Sequence, residues 1–177
     1  METTTIGVSR DIYDRIFKQL EALIPGLTEL EPGDYRKSES GGFMDLHLDV
    51  LNKTEEELTI ALSHNYQQNG DTIADPDMEI RVYLIPGWRK AEALTYQDAS
   101  FYNEVYPEPG KMIPRLKKSL NAFLTQWLKN LKDQGHVLKA PGVDQEAERK
   151  AHEEGVLYHF GEGRLEAEEE DEEDEDE

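Results

Sequence analysis

Met78, Ile80, Val82 and Leu84 alternate with Glu79, Arg81 and Tyr83. A period of two predicts an antiparallel strand with one face buried. Pro76 stands at its start, where a missing backbone donor does little harm. Ile85-Pro86-Gly87-Trp88 carries turn chemistry, Ala91 to Tyr96 runs back as a second strand, and Gln97 to Ser100 turns again. Phe101 to Tyr106 then makes a third strand, which Pro107 and Pro109 stop. Upstream, Met44, Leu46, Leu48 and Val50 alternate with polar residues, Asn52 to Glu55 turns, and Leu58, Ile60 and Leu62 alternate again. This predicts a hairpin. Asn65 to Asp75 reads as a polar loop containing Asn69-Gly70.

Two stretches repeat every three to four residues instead. Ile12, Ile16, Phe17, Leu20, Leu23 and Ile24 form one helical stripe that Pro25-Gly26 ends. Ser9 is the expected cap, and Asp11 favours the positive N-terminal end. Ile113, Leu116, Leu120, Phe123, Leu124, Trp127, Leu128 and Leu131 share the face of a second helix. Pro114 suits its first turn, Gly135 its C-terminus, and Lys117, Lys118, Lys129 and Lys132 occupy the other side. Residues 25–42 form a long connection in which Leu27, Leu30 and Tyr35 pack over the core. The expected fold is α+β: an antiparallel β-meander of about five strands packed against an N-terminal and a C-terminal amphipathic helix. Trp127 is expected to be buried against the sheet.

A set of ordered matches adds to this reading. Pro76-x-Met78-x-Ile80-Arg81-Val82-Tyr83, Ala91-Glu92-Ala93, Tyr106-Pro107 and Leu120-Asn121-x-Phe123-Leu124-x-x-Trp127-Leu128 resemble the YqiB-like bacterial domain family of unknown function. The resemblance covers residues 73–135. It implies a small α+β domain and no chemistry, since that family offers no active site to carry over.

Charge divides the chain. The 177 residues carry a formal charge of -20, and residues 166–177 hold eleven of the acidic groups, so residues 1–165 carry -20 + 11 = -9. A run of like charge nearly devoid of apolar residues cannot offset the entropy of ordering and is expected to stay disordered. The plan is a leader over 1–8, an α+β domain over 9–138, a charged extension over 139–165, and the acidic tail over 166–177. Within the extension, Gly142 to Glu154 suits a short charged helix. Val156, Leu157, Tyr158 and Phe160 form an apolar cluster that either docks on the domain or meets a partner. Such acidity argues against direct binding of nucleic acid and against an anionic membrane. The absence of cysteine excludes disulfides and thiolate chemistry. With no signal peptide and no apolar span, the chain is expected to be cytoplasmic.

Candidate chemistry is sparse. Asp45, His47 and Asp49 share one face of a strand, a set of residue types that suits a divalent metal. The same pattern is also the polar outer face of a half-buried sheet, and His64 strengthens the metal reading only if it shares that face. Asp75 and Asp77 offer paired carboxylates but equally the capping chemistry of a turn. Glu92, Glu104 and Glu108 with Arg81, Arg89 and Lys90 read as mixed charge on an exposed face. Tyr66, Tyr83, Tyr96, Tyr102 and Tyr106 enrich the central strands, either as ordinary strand residues or as a binding surface. With Glu104, Tyr158 and Phe160, these tyrosines are the candidate partner-binding residues. No nucleophile elbow, zinc helix or phosphate loop occurs, so no cofactor is expected. The leading expectation is a non-enzymatic protein whose acidity meets a basic protein surface, with imitation of nucleic acid toward a nucleic-acid-binding complex as one form of that role. The alternatives are a metal-dependent hydrolase using the strand carboxylates and histidine, or a small-molecule pocket between the Trp127 helix and the sheet.

Overall fold

A computed structural model of the chain describes residues 11–141. The leader, Tyr158, Phe160 and the acidic tail therefore lie outside the described residues. Helix α1 spans Ile12–Leu23 and helix α2 spans Pro114–Asp133. Between them run β1 (Tyr35–Ser38), β2 (Leu46–Lys53), β3 (Glu57–Gln68), β4 (Asp71–Tyr83), β5 (Ala91–Ala93), β6 (Thr95–Gln97) and β7 (Tyr102–Glu104). They form one antiparallel sheet in the order β1-β2-β3-β4-β6-β7, with β5 also on β4. The meander is thus as expected, but it has seven strands where five were predicted.

The differences have local causes. The 25–42 connection contains β1, whose Tyr-Arg-Lys-Ser sequence has no apolar alternation to announce a strand. The predicted polar loop at 65–75 is instead the far end of the β3–β4 hairpin, with Gln68 opposite Asp71. Asn69 (φ 53°) and Gly70 (φ 84°) both adopt the left-handed conformation that a two-residue hairpin turn of the type I′ kind requires. Pro76 lies within β4, following a cis peptide bond. The ladder steps there from Ser63↔Asp77 to Asn65↔Ala74, so Pro76 sits at an irregularity where no donor is missed. The predicted Ala91–Tyr96 strand is interrupted at Leu94. There the Leu94 N–H donates to the Glu79 carbonyl (2.8 Å), and Thr95 Oγ1 accepts the Glu79 N–H (3.1 Å).

The N-cap of α1 is Asp11 rather than the expected Ser9, and it and Asp14 accept each other's backbone N–H at 2.9 and 3.2 Å in a capping box. After α2, Gly135 (φ 86°) closes a Schellman turn. The His136 N–H donates to the Leu131 carbonyl and the Gly135 N–H to that of Lys132, each at 3.0 Å.

One apolar face of the sheet meets both helices. Leu46, Leu48, Leu58, Ile60, Leu62, Met78, Ile80 and Val82 join Ile16, Phe17 and Leu20 of α1 and Leu124, Leu128 and Leu131 of α2 in a single core. Trp127 is buried in it, as expected. Leu27, Leu30 and Tyr35 are buried as well. Phe123 and Ile113, at the margins of the α2 stripe, remain exposed.

A polar tie crosses this interface. Asn121, on the buried side of α2, accepts the Ala93 N–H at 2.9 Å and donates to the Lys117 carbonyl at 2.7 Å. Leucine fills similar space but cannot accept, which leaves the Ala93 N–H buried and unpaired. Asn121→Leu is expected to lower stability by about 1–3 kcal/mol, read as a lower urea midpoint at unchanged m-value.

Candidate functional site

Glu92 was expected on an exposed charged face, yet only 2% of it is accessible. Its register opposite Arg81 sets it beside Tyr83, at the sheet edge where α2 begins. Oε1 accepts the Tyr83 hydroxyl at 2.6 Å and, more loosely, Arg81 Nη1 at 3.5 Å. Oε2 accepts the Tyr106 hydroxyl at 2.8 Å and Lys117 Nζ at 2.9 Å. Lys117 also donates to the Tyr106 hydroxyl and lies over the rings of Tyr13 and Tyr106.

Burial pushes the Glu92 carboxyl up, but hydrogen bonds from Tyr83, Lys117 and Tyr106 outweigh it, so Glu92 titrates below its ordinary value. Burial likewise lowers Lys117, and its bonds to Tyr106 and Glu92 reverse this, holding the ammonium well above its ordinary range. Neither group exchanges protons near neutral pH, and both Glu92 oxygens are occupied. The cluster joins β4, β5, the segment after β7 and α2, and its geometry suits support better than catalysis.

The tyrosines serve different neighbourhoods. Tyr83 and Tyr106 converge on Glu92. Tyr96 bonds Asp98 at 3.0 Å and packs edge-on against Phe123, while burial and Asp98 push its hydroxyl up to about 12. Tyr102 is exposed on β7 beside half-buried Glu104, and Tyr66 lies far out on the β3–β4 hairpin opposite Ile73.

The metal candidates are drawn into other bonds. His47 Nδ1 lies 2.7 Å from the Tyr35 hydroxyl. Asp45 pairs with Lys37 at 3.4 Å, and its carbonyl accepts His64 Nδ1–H at 2.8 Å. Asp49 stands across from Tyr35 and Ala61. His64 does not join His47; it meets Trp127 edge-on and His136 at ring-centroid distances of 5.5 and 5.9 Å. Asp75 is exposed and Asp77 half-buried, on either side of Pro76. Among the described residues, no three His, Asp or Glu side chains converge as a metal-binding group.

An open feature lies elsewhere. A groove of about 710 Å³ runs between α1 and α2. Arg15, Lys18, Gln19, Ala22 and Leu23 of α1 form one wall, Leu128, Lys129 and Lys132 of α2 the other, and Gly135 to Val137 close the end. Arg15 and Lys18 are three apart, as are Lys129 and Lys132, so each helix lends two cations to the same rim. Lys129 pairs with Asp133 at 2.7 Å. Arg15, Lys18 and Lys132 form no ion pair with any described residue. Gln19 bridges the helices by donating to the Thr125 carbonyl at 3.1 Å, and its Oε1 is buried without a partner. Sequence reading placed Lys129 and Lys132 on the polar side of α2. Their meeting with Arg15 and Lys18 becomes visible only when the helices are paired.

Two expectations follow. Glu92→Gln keeps the shape but removes the charge that Lys117 and Arg81 surround. Breaking a buried pair costs about 3–5 kcal/mol, and the partial exposure of both cations favours the lower end. The fold should then lose the acid sensitivity this group confers. Its depressed folded value gives stability that is complete above the ordinary 4.5 and lost as pH falls through the lowered value. His64 and His136 act at higher pH. Burial lowers both below 6.5, with His64 lowering His136 further. Their contribution is complete above 6.5 and declines as pH falls toward the folded values. Urea midpoints measured from about pH 7.5 to about pH 5 should fall in the wild type and flatten in the His64→Gln/His136→Gln variant.

No curated protein and no solved structure matches the chain. No described helix is long and apolar enough to cross a membrane. A family model does match, over residues 13–137, which takes in both helices, the whole sheet and the groove's lining. The chain belongs to that family, described as a domain of unknown function (DUF6908).

Proposed function

We propose that this protein is a non-enzymatic interaction module whose acidic surface and tail engage a basic protein surface, that of a nucleic-acid-binding complex in the cytoplasm. The observation that carries the reading is the charge distribution: -9 over residues 1–165 and eleven further carboxylates in the last twelve positions. The described titratable groups support it from the other side. Glu92 and Lys117 hold fixed charges in mutual bonds, and burial keeps His64 and His136 from protonating readily. Asp49, Asp77 and Glu79 alternate with the core residues of β2 and β4, so they stand on the sheet face turned from the helices. Carboxylates on a rigid sheet present an array of negative charge to which a phosphate-binding surface is complementary. The resemblance of residues 73–135 to YqiB-like proteins is compatible with this role and adds no chemistry to it.

The test is displacement. A basic, sequence-nonspecific DNA-binding protein is loaded on a labelled duplex, and anisotropy is followed as the full chain is added. Release of the duplex at low salt is expected, with the apparent affinity falling at least about tenfold between 50 and 200 mM salt. Neutralising the tail by changing its Glu and Asp residues to Gln and Asn should weaken release. A chain that leaves the duplex bound at low salt refutes the reading.

A further inference from the structure

The basic groove and the acidic tail belong to one chain. We infer that the α1–α2 groove is a docking site for the chain's own C-terminal segment, with carboxylates of residues 166–177 meeting Arg15, Lys18 and Lys132.

The fold delivers that segment to the groove. Leu138 is fixed beside it: its N–H donates to the Leu23 carbonyl at 2.8 Å, and its carbonyl accepts Arg36 Nη1 at 3.0 Å. The preceding residues, Gly135 to Val137, line the groove. The described chain leaves at Pro141, and 36 residues follow, residues 142–177. The 25 steps from Pro141 to Glu166 reach at most roughly 80 Å when extended, at about 3.3 Å each, so length does not prevent return.

Charge selects the occupant. The net charge of residues 1–165 is negative, yet the lining of this groove gathers Arg15, Lys18, Lys129 and Lys132 and no carboxylate. Eleven carboxylates on the same molecule have a local concentration in the millimolar range for a short connection, which no separate anion matches without comparable abundance. The groove also asks for a donor. Gln19 Oε1 is a buried acceptor without a partner, and a peptide segment brings backbone N–H groups that a phosphate or other simple anion lacks. Between the charged rims, Ala22, Leu23 and Leu128 give the groove an apolar component. Docking would occupy the tail with its own domain, so a basic partner has to compete for it. The inference itself stands on the groove and does not require the proposed partner.

The chain has no cysteine, so one introduced residue defines a unique label. A nitroxide attached to Glu170→Cys in the full chain should selectively broaden the amide signals of Lys18, Lys132 and Val137 at low salt. The signals should recover near 1 M salt, where the screening length falls to roughly 3 Å. Reversing two exposed cations, Lys18→Glu and Lys132→Glu, should also restore the Val137 signal in the labelled chain. Should that variant fail to fold, the salt series on the unreversed chain decides alone. Broadening that is absent, uniform, or centred on the sheet face near His47 overturns the inference. Failure of the duplex displacement assay with intact groove broadening would sink only the partner reading.

Discussion

The inner face of the meander must be covered, and that requirement organises the molecule. Leu48, Ile60, Leu62, Met78, Ile80 and Val82 are wholly inaccessible. Each such side chain contributes about 1.5–3 kcal/mol when removed from water, and the two helices, the 25–34 connection, Val105 and Leu138 share that core. Because helices laid across a sheet trap polar backbone at its edge, every donor and acceptor there needs a partner. Asn121 reaches Ala93 from α2, and Lys117 and Tyr106 reach Glu92. The polar clusters are therefore consequences of the apolar contact. They fix where the helices lie, and a buried charge surrounded on both oxygens holds that placement against sliding.

The parts legible in the sequence are those where one side chain in two, or one in three to four, goes to the core. β2, the inner half of β3, the second half of β4 and both helices follow that rule. β1 does not: Arg36 occupies a core-side position and is tolerated because its guanidinium reaches the carbonyls of Pro25 and Leu138. The outer part of the β3–β4 hairpin also escapes, since neither of its faces is fully buried and its ladder is held by backbone bonds together with a side-chain bond from Gln67 to Thr72 at 3.0 Å. Trp127 was readable at the centre of its stripe. Phe123 and Ile113 fell at the stripe's margins, where periodicity cannot say how far the neighbouring element extends.

The site was harder to read for a different reason. Glu92 lies between two alanines in a short strand, and nothing along the chain distinguishes it from a solvated glutamate. Its partners come from positions 81, 83, 106 and 117, and only the fold gathers them. The groove likewise combines cations more than a hundred positions apart. The strand triplet Asp45, His47 and Asp49 was conspicuous because its members are close in sequence. Proximity along an extended strand is a poor guide, since alternate residues stand about 6.6 Å apart and each finds its own neighbours.

The two-residue turn at Asn69-Gly70 sits at the tip of a ribbon whose last paired residues, Gln68 and Asp71, are exposed. Its ladder can unzip from the tip inward without opening the core, because bonds there hold almost no apolar surface. The ribbon is accordingly the place where the protein can lengthen, shorten or accept a foreign loop over evolutionary time while its helices and their groove stay in register.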